Sequence, residues 1–283
     1  MNKIFLSIVM IFGVAIFACS DDDNSDGQTE ITNKEKVVAL LKSIETGDSE
    51  PSSYINPDKY IQHNLSVADG LEGFGEVLAQ LPPNSARVNT VRAFEDGDFV
   101  FTHTDYNFFG PKIGFDIFRF EDGKIVEHWD NFQETPTEPN PSGHTMIDGP
   151  TEITDLEKTE ENKELVSQFV NNILVNGEMD KLAGYFDGDN YIQHNPSIPD
   201  QVSGLTATLE ALAGQGIFLK YDKVHRVLGE GNFVLTVSEG TFGDDYNAFY
   251  DLFRVENGKI AEHWDVIENI LPEEEWKNSN GKF

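Results

Sequence analysis

The chain has 283 residues, and its 50 acidic side chains outnumber the 20 basic ones to give a formal charge of −30. That excess repels nucleic acid and anionic lipid, so neither is an expected partner. A hydrophobic content of 39% over this length suits about two packed domains, and the lone cysteine, Cys19, excludes an intrachain disulfide.

Lys3 and the apolar run 4–18 read as a targeting segment, too short to span a bilayer comfortably as a mature helix. It closes on Ile16-Phe17-Ala18-Cys19, which resembles a bacterial lipoprotein signal cleaved before a cysteine that is then lipidated. Residues 1–19 are thus an expected signal peptide. Residues 20–31, with Asp21-Asp22-Asp23 and Asp26, are an acidic tether that cannot pack. Membrane contact is expected only through a lipid on Cys19. The tether resembles the acidic signal of outer-membrane lipoproteins displayed at the cell surface. The alternative is an ordinary secretory signal with an incidental cysteine.

The periodicity then predicts a helix over 32–46, a turn or short helix over 53–60, a short strand at Tyr60-Ile61-Gln62-His63-Asn64 and a helix over 71–81. Four strands follow, at about 86–95, 98–107, 112–121 and 124–133. Residues 136–158, rich in Pro, Gly, Thr and acids, read as a linker in which His144 is expected to be merely solvated. The order then repeats: helices over 160–175, 179–186 and 205–213, and strands at about 217–228, 232–242, 246–256 and 259–268. Tyr191-Ile192-Gln193-His194-Asn195 repeats the earlier phrase letter for letter. Residues 271–283 form a tail.

The repetition is sharpest in residues 116–130, DIFRFEDGKIVEHWD, against 251–265, DLFRVENGKIAEHWD, with 11 of 15 positions identical. Each copy is a β-hairpin turning on Asp-Gly or Asn-Gly. A duplicated chain is expected, with domains at 32–135 and 159–270. Helices followed by a strand meander give an α+β class: two tandem cone-shaped domains, helices packed on a strongly curved antiparallel sheet around an interior pocket.

These phrases resemble the SnoaL-like polyketide cyclase family of the nuclear transport factor 2-like superfamily. The resemblance covers about residues 30–135 and 158–270. It implies cofactor-free acid–base chemistry on a small carbonyl or polyketide-like compound, by aldol-type cyclisation or isomerisation. It also implies that Asp116 and Asp251 are the acid/base aspartates, that His103 is their partner, and that the two cones pair as an intrachain pseudo-dimer. Further homo-oligomerisation stays open, as does the alternative of a surface protein that only binds an apolar ligand.

Strand alternation refines the candidates. Ile260, Glu262, Trp264 and Val266 share the expected inner face of the last strand, which turns His263 and His128 outward. The first pocket is expected to hold Asp116 and His103, with Glu127, Trp129 and His63 near. The second is expected to hold Asp251, with His194, Glu262 and Trp264. There Val237 stands in place of His103. Either His225 restores the imidazole from the neighbouring strand, or the second domain binds or scaffolds without turnover. No metal site is expected, because the spacings match no familiar ligand motif.

Overall fold

The computed structural model describes residues 31–82 and 84–283. The expected signal peptide, Cys19 and all but the last residue of the acidic tether lie outside the described residues. No helix among the described residues is long and apolar enough to cross a membrane.

The first half begins with α1 (Asn33–Thr46). Thr32 and Glu35 start it as a capping box, each side chain taking the other's backbone N–H. Val37, Leu40 and Leu41 form its buried stripe, and Gly47 ends it at φ 71°. Then come β1 (Ile61–Gln62), α2 (Gly70–Gln80), β2 (Arg87–Asp96), β3 (Phe99–Asn107), β4 (Pro111–Glu121) and β5 (Lys124–Glu134). The second half repeats this with α3 (Thr159–Phe169), β6 (Ile192–Gln193), α4 (Val202–Gly214), β7 (Leu219–Glu230), β8 (Phe233–Phe242), β9 (Asp245–Glu256) and β10 (Lys259–Asn269). Two expected helical stretches differ from α-helix. Val170–Val175 widens into a π-helix, and Met179–Tyr185 tightens into a 3-10 helix.

The halves are two tandem α+β units, each with helices against one face of its own sheet. The strand orders are β1-β5-β4-β3-β2 and β6-β10-β9-β8-β7. The short β1 and β6 lie parallel to β5 and β10, so each sheet is mixed rather than purely antiparallel. In both hairpins of the sequence repeat the two central residues, Asp122-Gly123 and Asn257-Gly258, have positive φ, as a type I′ turn requires.

The other faces of the two sheets pack on each other. Phe94, Phe101, Ile117 and Trp129 of the first half form one core with Phe233, Leu235, Leu252 and Trp264 of the second. Each such side chain contributes about 1.5–3 kcal/mol by its burial. Two half-buried ion pairs cross the seam at equivalent positions, Lys34 to Glu230 at 2.8 Å and Lys163 to Asp96 at 2.7 Å.

The linker and the tail are straps, exchanged between the halves. After β5 the chain crosses to the second half, where Asn140 Nδ2 donates to the carbonyls of Gln193 and Ile198. After β10 it returns to the first half, where Asn278 Nδ2 donates to Asn64 and Val67. The linker is no free tether: Met146 is buried in the shared core.

Candidate functional site

A β-bulge decides what each sheet presents to its helices. In β10 the register with β9 slips between Ile260 and Glu262, and in β5 it slips against β4 at the same place in the repeat. Ile260 and Ile125 face the helices, but beyond the extra residue the alternation is reversed. Trp129 and Trp264 therefore face the seam between the sheets, as do Glu127 and Glu262, each paired with an arginine and a histidine, while His128, Asp130, His263 and Asp265 point into the cones. The expected inner face of this strand is the wrong one beyond the bulge.

Asp116 and Asp251 do lie on the helix-covered faces. In the second half Asp251 stands opposite Asp265 across the ladder. His263 Nε2 is 3.0 Å from Asp251 Oδ1, and its Nδ1 is 3.0 Å from Gln193 Oε1. That oxygen also accepts from the backbone N–H groups of His194 and Asn195, which makes it an acceptor. His263 Nδ1 thus donates to it, and Nε2 faces the Asp251 carboxyl. Tyr221 donates to Asp251 at 3.1 Å. Asp265 Oδ2 accepts from Asn195 Nδ2 at 2.7 Å, whereas the equally buried Asp265 Oδ1 has no partner. Burial pushes the Asp265 carboxyl up, and the Asp251 charge adds to that, against the opposing pull of His263.

The first half repeats the constellation. His128 Nε2 is 3.2 Å from Asp116 Oδ1, Tyr106 donates to Asp116 Oδ2 at 2.7 Å, Asn64 holds Asp130 Oδ2 at 2.8 Å, and Asp130 Oδ1 lacks a partner. Burial likewise raises the Asp130 carboxyl. In each half the Asp-His-Asp trio brings three possible ligand atoms within 4.8 Å, so both could also hold a cation.

The cavities over the two trios differ. The second-half cavity measures about 350 Å³, floored by Asp251, His263 and Asp265 and walled by Phe169, Leu174, Leu209, Leu219 and Ile267. The first-half cavity measures about 80 Å³. An open depression of about 700 Å³ elsewhere is lined by Asp187, Asp189, Arg254, Glu256 and Lys259 and by neither Asp251 nor Asp265.

The remaining expected site residues sit on the seam. His63 stacks on Trp129 and His194 on Trp264, both at 4.6 Å, with Arg226 and Arg92 over the other faces of the tryptophans at 3.9 and 4.4 Å. Glu127 and Glu262 bind His63 and His194 together with Arg119 and Arg254. None of these reaches the acids inside the cones.

His103 is fully buried on the seam too, stacked on Phe115 at 4.3 Å with Arg92 Nη1 3.2 Å from its Nδ1. Burial and then Arg92 push it well below the usual imidazole range, which keeps it neutral. His225 does not restore an imidazole to the second pocket. It is itself the extra residue of the slip between Val224 and Arg226, and it turns to Glu239, at 3.2 Å, and to the ring of Phe283, at 4.0 Å. The pocket imidazoles are His128 and His263, which sequence reasoning turned outward. The signal that could have found them is the exact doubling of Glu-His-Trp-Asp and Gln-His-Asn.

No known family matches the chain by sequence, and no curated protein does. Solved structures match about a third of the chain each. IdmH from Streptomyces antibioticus, a candidate polyketide cyclase, is 20% identical over 35% of this chain and 90% of its own, with a TM-score of 0.31. A nuclear transport factor 2-like protein of unknown function from Cytophaga hutchinsonii is 16% identical over 38% of this chain and 94% of its own, with a TM-score of 0.33. An epoxide hydrolase of the LEH-like type from M. tuberculosis is 25% identical over 39% of this chain and 85% of its own, with a TM-score of 0.30.

Proposed function

We propose that the second half is an acid–base catalytic site for a small, largely apolar carbonyl compound, and that the first half supports it. The observation that carries the reading is Asp265 Oδ1, a buried carboxylate oxygen without a partner on the floor of an apolar cavity of about 350 Å³. That volume lies within the range of small-ligand sites, whereas about 80 Å³ falls below it. With its carboxyl raised above the ordinary aspartate range by burial, Asp265 is a better proton acceptor than a solvated aspartate and is suited to take a proton from the carbon beside a carbonyl. The electron pair moves to the carbonyl oxygen as an enolate, faced by Tyr221 and His263 on the same wall. The enolate carbon then attacks a second carbonyl of the same molecule, whose oxygen takes the proton from Asp265, or a conjugated enolate takes that proton back from Asp265 at its γ-carbon. These are the outcomes of aldol-type closure and of isomerisation, and neither needs an electron acceptor.

The second reading is ligand holding without turnover, favoured by the mostly apolar wall. Incubation with alicyclic and aromatic ketones in D2O, followed by NMR, separates the two. Exchange of α-protons by the wild type, lost in Asp265→Asn and kept in Asp130→Asn, supports catalysis. Ketones that bind without exchange above the buffer rate support the holding role, and absence of any binding sinks both. An exported, lipid-anchored location is part of the same proposal and rests on the sequence of residues 1–31 alone. Labelling with radioactive palmitate, lost in Cys19→Ser, tests it.

A further inference from the structure

Two imidazoles meet where the linker strap crosses the second half, outside both cones. His194 Nε2 is 2.8 Å from Glu262 Oε1, a carboxylate already held by Arg254. Its other nitrogen, Nδ1, faces two oxygens, Asp148 Oδ1 at 2.7 Å and the Thr145 carbonyl at 2.8 Å. His144 repeats the arrangement from the strap: Nε2 is 3.3 Å from Asp200 Oδ2, and Nδ1 is 3.5 Å from Asp148 Oδ2. These oxygens are acceptors, and a neutral imidazole has one N–H for two nitrogens, so each ring leaves a nitrogen–oxygen pair that a cation can bridge. The possible ligand atoms of His144, Asp148 and His194 lie within 4.8 Å of one another.

The first half supplies the internal contrast. Its strap carries Asn278 and Gly281 where the linker carries Asn140 and Gly143, and the next residue is Lys282 in place of His144. His63 there meets the Gly281 carbonyl and Glu127, and the strap brings its own ammonium, which binds the Asp130 carbonyl and Glu268. Replacing an ammonium by an imidazole and adding a carboxylate turns a strap that delivers a cation into one that can accept one.

We propose that His144, Asp148 and His194 bind a divalent transition-metal ion through both Nδ1 atoms and the carboxylate, stapling the strap to the second half. Two imidazoles and one carboxylate suit zinc-like ions, whose ligand bonds are about 2.0–2.2 Å. Both rings already direct Nε2 at a carboxylate, Asp200 or Glu262, as outer partners of ligating histidines do. The Asp148 side chain is pre-set by a turn in which Thr145 N donates to its Oδ1 at 3.1 Å.

The test is titration of tag-free protein with Co2+, read by its visible absorption, and with Zn2+, read by calorimetry. Binding at this site should release protons, raise the thermal midpoint and account for one equivalent lost in the site variants. His144→Lys copies the first half and should keep the fold, seen by circular dichroism, while losing both the Co2+ spectrum and the Zn2+-induced rise. Asp148→Asn should lose them as well, and Asp200→Asn should weaken binding about tenfold. No binding at millimolar Co2+ or Zn2+, or binding unchanged in His144→Lys and Asp148→Asn, overturns the proposal.

Discussion

The two halves hold the same polar constellation under different amounts of space. Asp116, His128 and Asp130 meet a cavity of about 80 Å³, and Asp251, His263 and Asp265 one of about 350 Å³. The difference is made by apolar neighbours. Phe74 follows the α2 glycine Gly73 where Leu205 follows the α4 glycine Gly204, and Phe132 stands two residues after Asp130 where Ile267 follows Asp265. The phenol on the first aspartate is kept, but it changes strand. Tyr106 of β3 pairs with Val88, and at the matching pair Tyr221 of β7 stands opposite Gly240 of β8. A duplicated fold can thus hold its hydrogen-bond network constant while the wall around it closes or opens.

The strongest way to break this comparison is to remove the proposed base from each half. Asp265→Asn should lower α-proton exchange of a bound ketone by about a hundredfold or more, and Asp130→Asn should leave it near the wild-type rate. Equal losses from the two variants would make the halves functionally alike despite their cavities.

Next in size is an exchange of wall residues. Ile267→Phe should cut ketone affinity by roughly tenfold or more, measured by calorimetry, because it fills the space a ligand needs. The overpacking should cost about 1–3 kcal/mol in urea unfolding. Phe132→Ile should enlarge the first cavity. If it confers α-proton exchange on an Asp265→Asn background, with Asp130 as the base, the wall alone separates the halves.

The element order, the hairpins and the duplication were legible because period-2 and period-3.6 patterns and turn glycines are local. The placement of Asp116 and Asp251 inside was legible for the same reason, since β4 and β9 run unbroken through both acids. His263 and Asp265 were not, because the bulge at Ala261 adds one residue and reverses everything after it, and Lys-Ile-Ala-Glu carries no mark of it. His225 failed in the same way, in a strand with two slips. The straps were illegible because their order comes from partners far along the chain: nothing in Asn278 announces the carbonyls of Asn64 and Val67.

A smaller effect tests the strand exchange of the phenol. Tyr106→Phe and Tyr221→Phe each remove the hydroxyl donor from a buried aspartate, so each should cost about 1.5–3 kcal/mol in urea unfolding. The costs should be similar although the tyrosines come from different strands. Gly240→Tyr should not rescue Tyr221→Phe, because a Cβ at Gly240 would meet the Lys220 carbonyl oxygen at 2.1 Å. Rescue would mean that β8 can deliver the phenol as β3 does.

The smallest effect is the pH dependence of stability, and it links the acids to their task. Asp265 is raised above its ordinary value of 3.8 by burial, so the folded chain holds that proton more tightly than the unfolded one. The stability this contributes is complete below about pH 3.8 and is lost as pH rises through the folded value. Asn cannot ionise, so Asp265→Asn should gain stability relative to the wild type between pH 4 and pH 7 in urea unfolding. Asp130→Asn should gain less, because the Lys282 ammonium, which has no counterpart beside Asp265, offsets part of the burial penalty on Asp130. Exchange activity runs the opposite way, since a base must be deprotonated to take a proton. The pH range in which Asp265 becomes competent is therefore the range in which the fold loses its contribution, a cost confined to the half that has room for a ligand to use it.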